Sequence, residues 1–268
     1  MNQQKKGQDR DEVDISGFNR AAWDREVENG NPYTRPVSAE VLAEVRGGQW
    51  DFKLSETKPV PKEWLPELQD AKVLCLASGG GQQGPMFAVA GAKVTVLDIS
   101  PKQLAQDRYV AEREGLELET VEGDMADLSI FPDESFDLII HPVSNLFVPD
   151  VHPVWNEAFR VLRPKGILLA AFINPTVYIF DLDKLDNQNV FDVKHALPFS
   201  SITSLSQDER ARIFGLDAPI EYSHTLEDQI GGQLKAGFIL TGFYEDHRPG
   251  ELIGKYIPSI FITRAVKP

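Results

Sequence analysis

Residues 73–98 read VLCLASGGGQQGPMFAVAGAKVTVLD. An apolar run is followed by Gly79-x-Gly81-x-x-Gly84, and the next apolar run closes on an acid, Asp98. Glycines at this spacing let a chain turn tightly off a strand and bring backbone amides against a ligand at the mouth of a helix. Several adenosine-containing molecules are held in this way, so the loop alone leaves its ligand open. A phosphate-binding loop is set aside, because Gly84 is followed by Pro85 and Met86 where that loop needs Lys and Ser/Thr. An NAD-dependent oxidoreductase stays open, since Asp98 lies near the distance expected of a ribose-binding acid. Against it, no Tyr is followed four residues later by Lys, which removes one dehydrogenase dyad.

Working outward, the segments at 72–77, 93–98, 116–124, 136–142 and 166–172 predict strands, the first a continuous apolar run that reads as fully buried. Helices fit between them. One runs from Pro101 to Glu114, with Ser100 as N-cap and Gly115 beyond its end; another covers 152–162 and stops at Arg163-Pro164-Lys165-Gly166. Such alternation predicts an α/β fold with a doubly wound, mostly parallel sheet. Upstream, 38–46 predicts a helix that Gly47-Gly48 stops. Downstream, a helix starts near Thr225, and two strands over 238–246 and 256–266 form an antiparallel pair at one sheet edge.

The segments resemble, in order, those of class I S-adenosylmethionine-dependent methyltransferases of the type 11-like kind. Ala77-Ser78-Gly79-Gly80-Gly81 resembles the family's G-x-G-x-G loop with Ala in the first place, and VTVLDIS (94–100) resembles its second strand. VEGDMADL (121–128) is similar to its third, while FPDESFDLII (131–140) and AFRVLRPKGILLAAF (158–172) are similar to its fourth strand and fifth helix and strand. The resemblance covers about 71–173 and extends to the final strand pair, implying a seven-stranded Rossmann-like sheet whose last strand is reversed. It implies S-adenosyl-L-methionine as cofactor, with Asp98 on the ribose hydroxyls and Asp124 and Met125 beside the adenine. Ile99 offers a second apolar face to the ring, and the loop amides receive the methionine carboxylate. Gln82 and Gln83 bond either cofactor or lid, or merely finish the loop. Cys75 stands where the family carries an acid in its first strand; as a residue it reads as a small buried hydrophobe.

HPVSNLFVPD (141–150) is, by the same resemblance, the segment nearest the transferred methyl. His141 is a candidate base, a candidate cofactor contact, or a hydrogen-bonded structural histidine; Asn145 is a second catalytic candidate, and it and Ser144 bond the acceptor or shape the turn. In-line methyl transfer draws much of its acceleration from binding the two reactants face to face, so no base is required.

Residues 1–15 are charged and aperiodic and read as a disordered tail, leaving 16–268 as one domain. Within it, 16–50 reads as an N-terminal cap and 174–224, which lacks a clear period, as an inserted lid. Trp23, Tyr33 and Tyr178 are candidates to wall an acceptor pocket, with packing on the core as the equal alternative. A formal charge of −14 opposes a nucleic-acid substrate, which favours a small-molecule acceptor. No apolar run reaches membrane-spanning length, no secretion segment follows the first lysines, and the five histidines lack metal-ligand spacing. A cytoplasmic protein without metal is expected, with its oligomeric state undetermined. The remaining alternative is a cofactor-binding protein that keeps the fold without turnover.

Overall fold

The computed structural model describes residues 14–49 and 51–268. Helix α1 (Ile15–Glu28) is followed by α2 (Ala39–Arg46), strand β1 (Lys72–Leu76), α3 (Gln83–Val89), β2 (Lys93–Asp98), α4 (Pro101–Glu114), β3 (Leu118–Glu122) and β4 (Phe136–His141). The second half carries α5 (His152–Val161), β5 (Leu162–Ile173), α6 (Leu182–Gln188), α7 (Gln207–Ile213), α8 (Gly232–Ala236), β6 (Ile239–Asp246) and β7 (Ile260–Val266). The sheet order is β3-β2-β1-β4-β5-β7-β6. Strands β1 to β5 pair in parallel, and β7 runs antiparallel to both β5 and β6. This is the doubly wound sheet that the alternation predicts, with the reversed strand in place.

Why the central strands read as unbroken apolar runs is visible in the two cores. Val73 and Cys75 of β1 enter one cluster with Val96, Leu138, Ile140 and Leu169. Their neighbours Leu74 and Leu76 enter the other, with Leu97, Ile139 and Leu168. Successive side chains of a strand point to opposite faces, so a strand covered on both faces needs apolar residues at every position. Phe87 of α3 and Leu104 of α4 cover the first face. Trp155 and Ala158 of α5 cover the second.

Helix signals hold where local chemistry carries them. Ser38 accepts from the Val41 amide and Ser100 from the Gln103 amide, and Gly115 ends α4 in the left-handed region at φ 65°. Thr225 and Asp228 cap one another across a turn that opens as a single π turn, Glu227–Gly231, before α8. Several boundaries move: the third strand shortens to Leu118–Glu122, the last starts at Ile260, and two further shifts have a visible cause. Strand β5 starts at Leu162, not 166, because Leu162 already pairs with Phe136 and Lys165 at φ 67° lets the strand bulge past Pro164. The tail boundary at residue 15 also shifts: Asp14 caps α1 through the Gly17 amide, and residues 1–13 lie outside the described residues.

The two cap segments hold more regular structure than their sequence shows. Residues 15–28 form a helix whose buried positions are Asn19 and Ala22, a polar and a small residue, so no apolar stripe announces it. Residues 174–224 contain α6 and α7, and they send Tyr178, Leu182, Leu185, Phe199 and Leu205 into the first core. Short helices joined by turns give no sustained period.

Candidate active site

At the carboxyl ends of β1, β2 and β4 the glycine loop opens into a cavity of about 1410 Å³. Ala77 leaves β1 at φ 48°, a left-handed conformation that favours glycine, which is the residue the resemblance expects there. Gly81 sits at φ 71°, and a Cβ on it would come 2.8 Å from the Gln106 carbonyl oxygen. Backbone sterics therefore demand glycine at the third position.

Two buried carboxylates hold this loop. Asp98 accepts from the Gly79 amide through Oδ2 and from the Ser100 amide through Oδ1, both at 2.9 Å, and still lines the cavity. Burial pushes its carboxyl up to about 6. Asp107 on α4 is fully buried and accepts from the Gly80 amide at 3.0 Å, while its Oδ1 has no partner. Burial, reinforced by the charge of Asp98, pushes it up to about 7. Beneath them Cys75 is fully buried, and burial and the charge of Asp107 hold its thiol protonated. The carboxylate that the resemblance leads one to expect on the first strand is absent from β1, and the loop is held from α4 instead. An acid at residue 75 would place a third carboxylate beside this pair, at a steep Coulombic cost.

Of the residues singled out in the sequence, Ala77, Ser78, Gly79, Gln82, Gln83, Asp98, Ile99, Asp124 and Met125 meet at one cavity. Gly80 and Gly81 lie beneath the loop, covered by residues 33–34 and by α4 respectively. Gln82 resolves toward the cap: its amide donates to the carbonyls of Tyr33 and Arg35 at 3.2 and 3.0 Å. Asp124 accepts from the Ala126 amide and from the Ser16 hydroxyl, each at 2.9 Å, so it also caps its own turn.

For three candidates the structure favours the structural alternative. His141 is fully buried behind the wall, with Nδ1 3.0 Å from the Leu76 carbonyl oxygen and its ring edge-on to Trp155. Burial lowers its pKa to about 4, so it is neutral and out of reach of a ligand. Asn145 is buried and spends its side chain on Gln229 at 2.9 Å. Tyr178 is stacked on Phe199 in the core and reaches the cavity only through Glu221, to which its hydroxyl donates at 2.9 Å. Trp23 lines the cavity edge-on to Phe147, and Tyr33 stands at its rim with its hydroxyl on Glu56.

Helix α1 crosses the mouth. Asp24 accepts from the Ser100 hydroxyl at 2.6 Å, and Arg20 pairs with Glu122. Asn19 donates to the carbonyls of Phe147 and Ile220 and accepts from the Ile220 amide at 2.7 Å. Replacing Asn19 by Ala removes three hydrogen bonds and orphans two buried backbone groups at residue 220. It is expected to cost about 2–3 kcal/mol and to accelerate hydrogen exchange over residues 15–28 and 217–221 ahead of the sheet. Unchanged exchange in both segments would show that Asn19 does not carry the docking.

Residues 74–170 match the family model described as a methyltransferase domain. The chain is 51% identical over 253 residues to a Bacillus subtilis (strain 168) protein named uncharacterized methyltransferase YbaJ, covering 94% of this chain and 98% of that one. The chain belongs to the S-adenosylmethionine-dependent methyltransferase family. As a methyltransferase it shares its fold with a solved S-adenosylmethionine-dependent methyltransferase from Mesorhizobium loti, at a TM-score of 0.61 and 18% identity over 76% of this chain and 94% of that one. It is also similar, at a TM-score of 0.58 and 14% identity, to the Burkholderia thailandensis 1,6-didemethyltoxoflavin-N1-methyltransferase solved with 1,6-didemethyltoxoflavin and S-adenosylhomocysteine. That match covers 95% of this chain and 89% of that one.

Asp107, Asn19 and Glu221 were not found from the sequence. Asp107 left one signal: it interrupts the buried stripe of Leu104, Val110 and Ala111 on α4, where an acid needs a buried partner.

Proposed function

We propose that this methyltransferase moves the methyl group of S-adenosylmethionine to a small-molecule acceptor inside the cavity, with Asp98 on the ribose hydroxyls and Asp124 and Met125 at the adenine. The single observation that carries the reading is Asp98, whose carboxylate lines the cavity at the end of β2 beside the glycine loop. Its two backbone bonds fix its orientation and leave lone pairs for a diol, since a carboxylate has about four acceptor sites. Bound there, S-adenosylmethionine supplies a methyl group activated on a cationic sulfonium. Seven acidic residues line the cavity against two basic ones, Lys53 and Arg248, and that excess favours a cation. Gln103, whose buried Oε1 has no partner at the cavity wall, offers a further acceptor to the cofactor. The acidic lining and the formal charge of −14 also favour a small acceptor over a nucleic acid. Among the described residues no helix is long and apolar enough to cross a membrane.

Titration calorimetry is expected to give micromolar binding of S-adenosylmethionine and S-adenosylhomocysteine and no heat with NADH. Tight NADH binding with silence toward both sulfur ligands would sink the reading in favour of an oxidoreductase.

A further inference from the structure

The cavity lining also includes the apolar side chains of Trp23, Phe147, Ile202, Ile213 and Phe214. Glu221 stands in the same lining, within the field of Arg248, which lines it too. Glu221 is held by its backbone on both sides: its amide donates to the Ser201 hydroxyl at 3.0 Å, and its carbonyl accepts from the Ser201 amide at 2.9 Å. Neighbouring Ile220 is fixed by Asn19, and Tyr222 bridges Ser200. Its side chain is equally constrained. Oε2 accepts from Tyr178, whose ring is stacked on Phe199, while Oε1 has no hydrogen bond or ion pair among the described residues.

A buried ionisable group is costly unless something bonds it. Burial raises the carboxyl of Glu221 above the usual range, and the hydrogen bond from Tyr178 and the charges of Arg248 and Arg210 pull it back only in part. Neither arginine forms an ion pair with it, so a ligand is left to complete its bonding. A site built this way selects strongly for a hydroxyl or N–H at one point of an otherwise apolar molecule, because an analogue lacking that group leaves the carboxylate buried and unpaired.

We propose that Glu221, positioned by Tyr178, receives the hydrogen of the methyl acceptor, and that the acceptor is a small, largely apolar molecule presenting an O–H or N–H. The proposal rests on the methyl-transfer reading above. On transfer the acceptor heteroatom gains the bond to the methyl carbon, the carbon–sulfur bond breaks with its electron pair remaining on sulfur, and the acceptor's proton passes to the Glu221 carboxylate and on to solvent.

The test uses p-cresol and toluene, which differ by one hydroxyl, titrated by ligand-observed NMR into full-length protein saturated with S-adenosylhomocysteine. Wild type is expected to bind p-cresol at least about tenfold more tightly than toluene. Glu221→Gln, which keeps shape but loses the charge, is expected to cut that ratio about three- to tenfold. The double variant Glu221→Met with Tyr178→Phe removes both polar partners together, orphaning neither, and is expected to bring the ratio close to one. S-adenosylhomocysteine affinity, measured first on every variant, reports an intact loop and sheet. If wild type fails to bind that ligand, the methyl-transfer reading itself falls. If it binds, and p-cresol is no better than toluene or the ratio survives the double variant, only the assignment of Glu221 is overturned.

Discussion

Asp98→Ala is expected to weaken S-adenosylhomocysteine binding by about 1.5–3 kcal/mol, roughly ten- to a hundredfold in calorimetry, because it removes the charge-assisted pair of bonds proposed to reach the ribose. The same substitution frees the Gly79 and Ser100 amides that Asp98 holds. The wild-type affinity should also carry a pH signature. Burial sets the Asp98 carboxyl at about 6 in the free protein, and hydroxyl donors bind its ionised form. Binding therefore releases a proton below that pH, so affinity rises with pH between about 5 and 7 and levels off above. In Asp98→Ala that component is lost. A wild-type affinity independent of pH across this window would remove Asp98 from the cofactor.

For Asp107→Ala the expected loss is about 1.5–3 kcal/mol in folding stability, with cofactor binding reduced in parallel, because the charge-assisted bond from the Gly80 amide is lost and that amide keeps only the Gln103 carbonyl. Asp107→Asn keeps an acceptor oxygen and should be far milder. Its pH dependence has a definite sign. The folded carboxyl lies at about 7, above its usual range, so its contribution to stability is fully present below about pH 4 and is lost as pH rises through 7. Asp107→Asn should flatten the melting temperature over that interval. Equal melting curves for wild type and both variants from pH 4 to 8 would show that α4 does not hold the loop.

The strands were legible because a sheet buried on both faces writes an apolar residue at each position, as in Val73 to Leu76 and Leu138 to Ile140. Asp98 and Asp124 could be singled out because one closes a strand and the other stands two residues beyond the next, and both line the cavity. What escaped depends on contacts between distant residues. Nothing local marks Glu221 as special; Tyr178, 43 residues away, and the cavity lining give it its meaning. His141 and Asn145 take the structural alternative for the converse reason, since their bonds to Leu76 and Gln229 turn them away from the cavity. Helix α1 escaped because a helix that docks through Asn19, Asp24 and Ser16 carries its affinity in hydrogen bonds, which leave no hydrophobic period.

That helix has a kinetic consequence. It is fastened through Ser16 and Asp24 to Asp124 and Ser100, beside the proposed donor position, and through Asn19 and Trp23 to the backbone of Ile220 and the ring of Phe147, beside the proposed acceptor position. Any excursion wide enough to admit one reactant loosens the wall around the other, so the two exchange steps share a barrier. Steady-state analysis should then find product dissociation and thioether dissociation slowed or hastened together by substitutions in residues 15–28, with the chemical step unaltered. With a shared barrier, a reactive sulfonium would be exposed to water only in the brief intervals when the whole entrance is open.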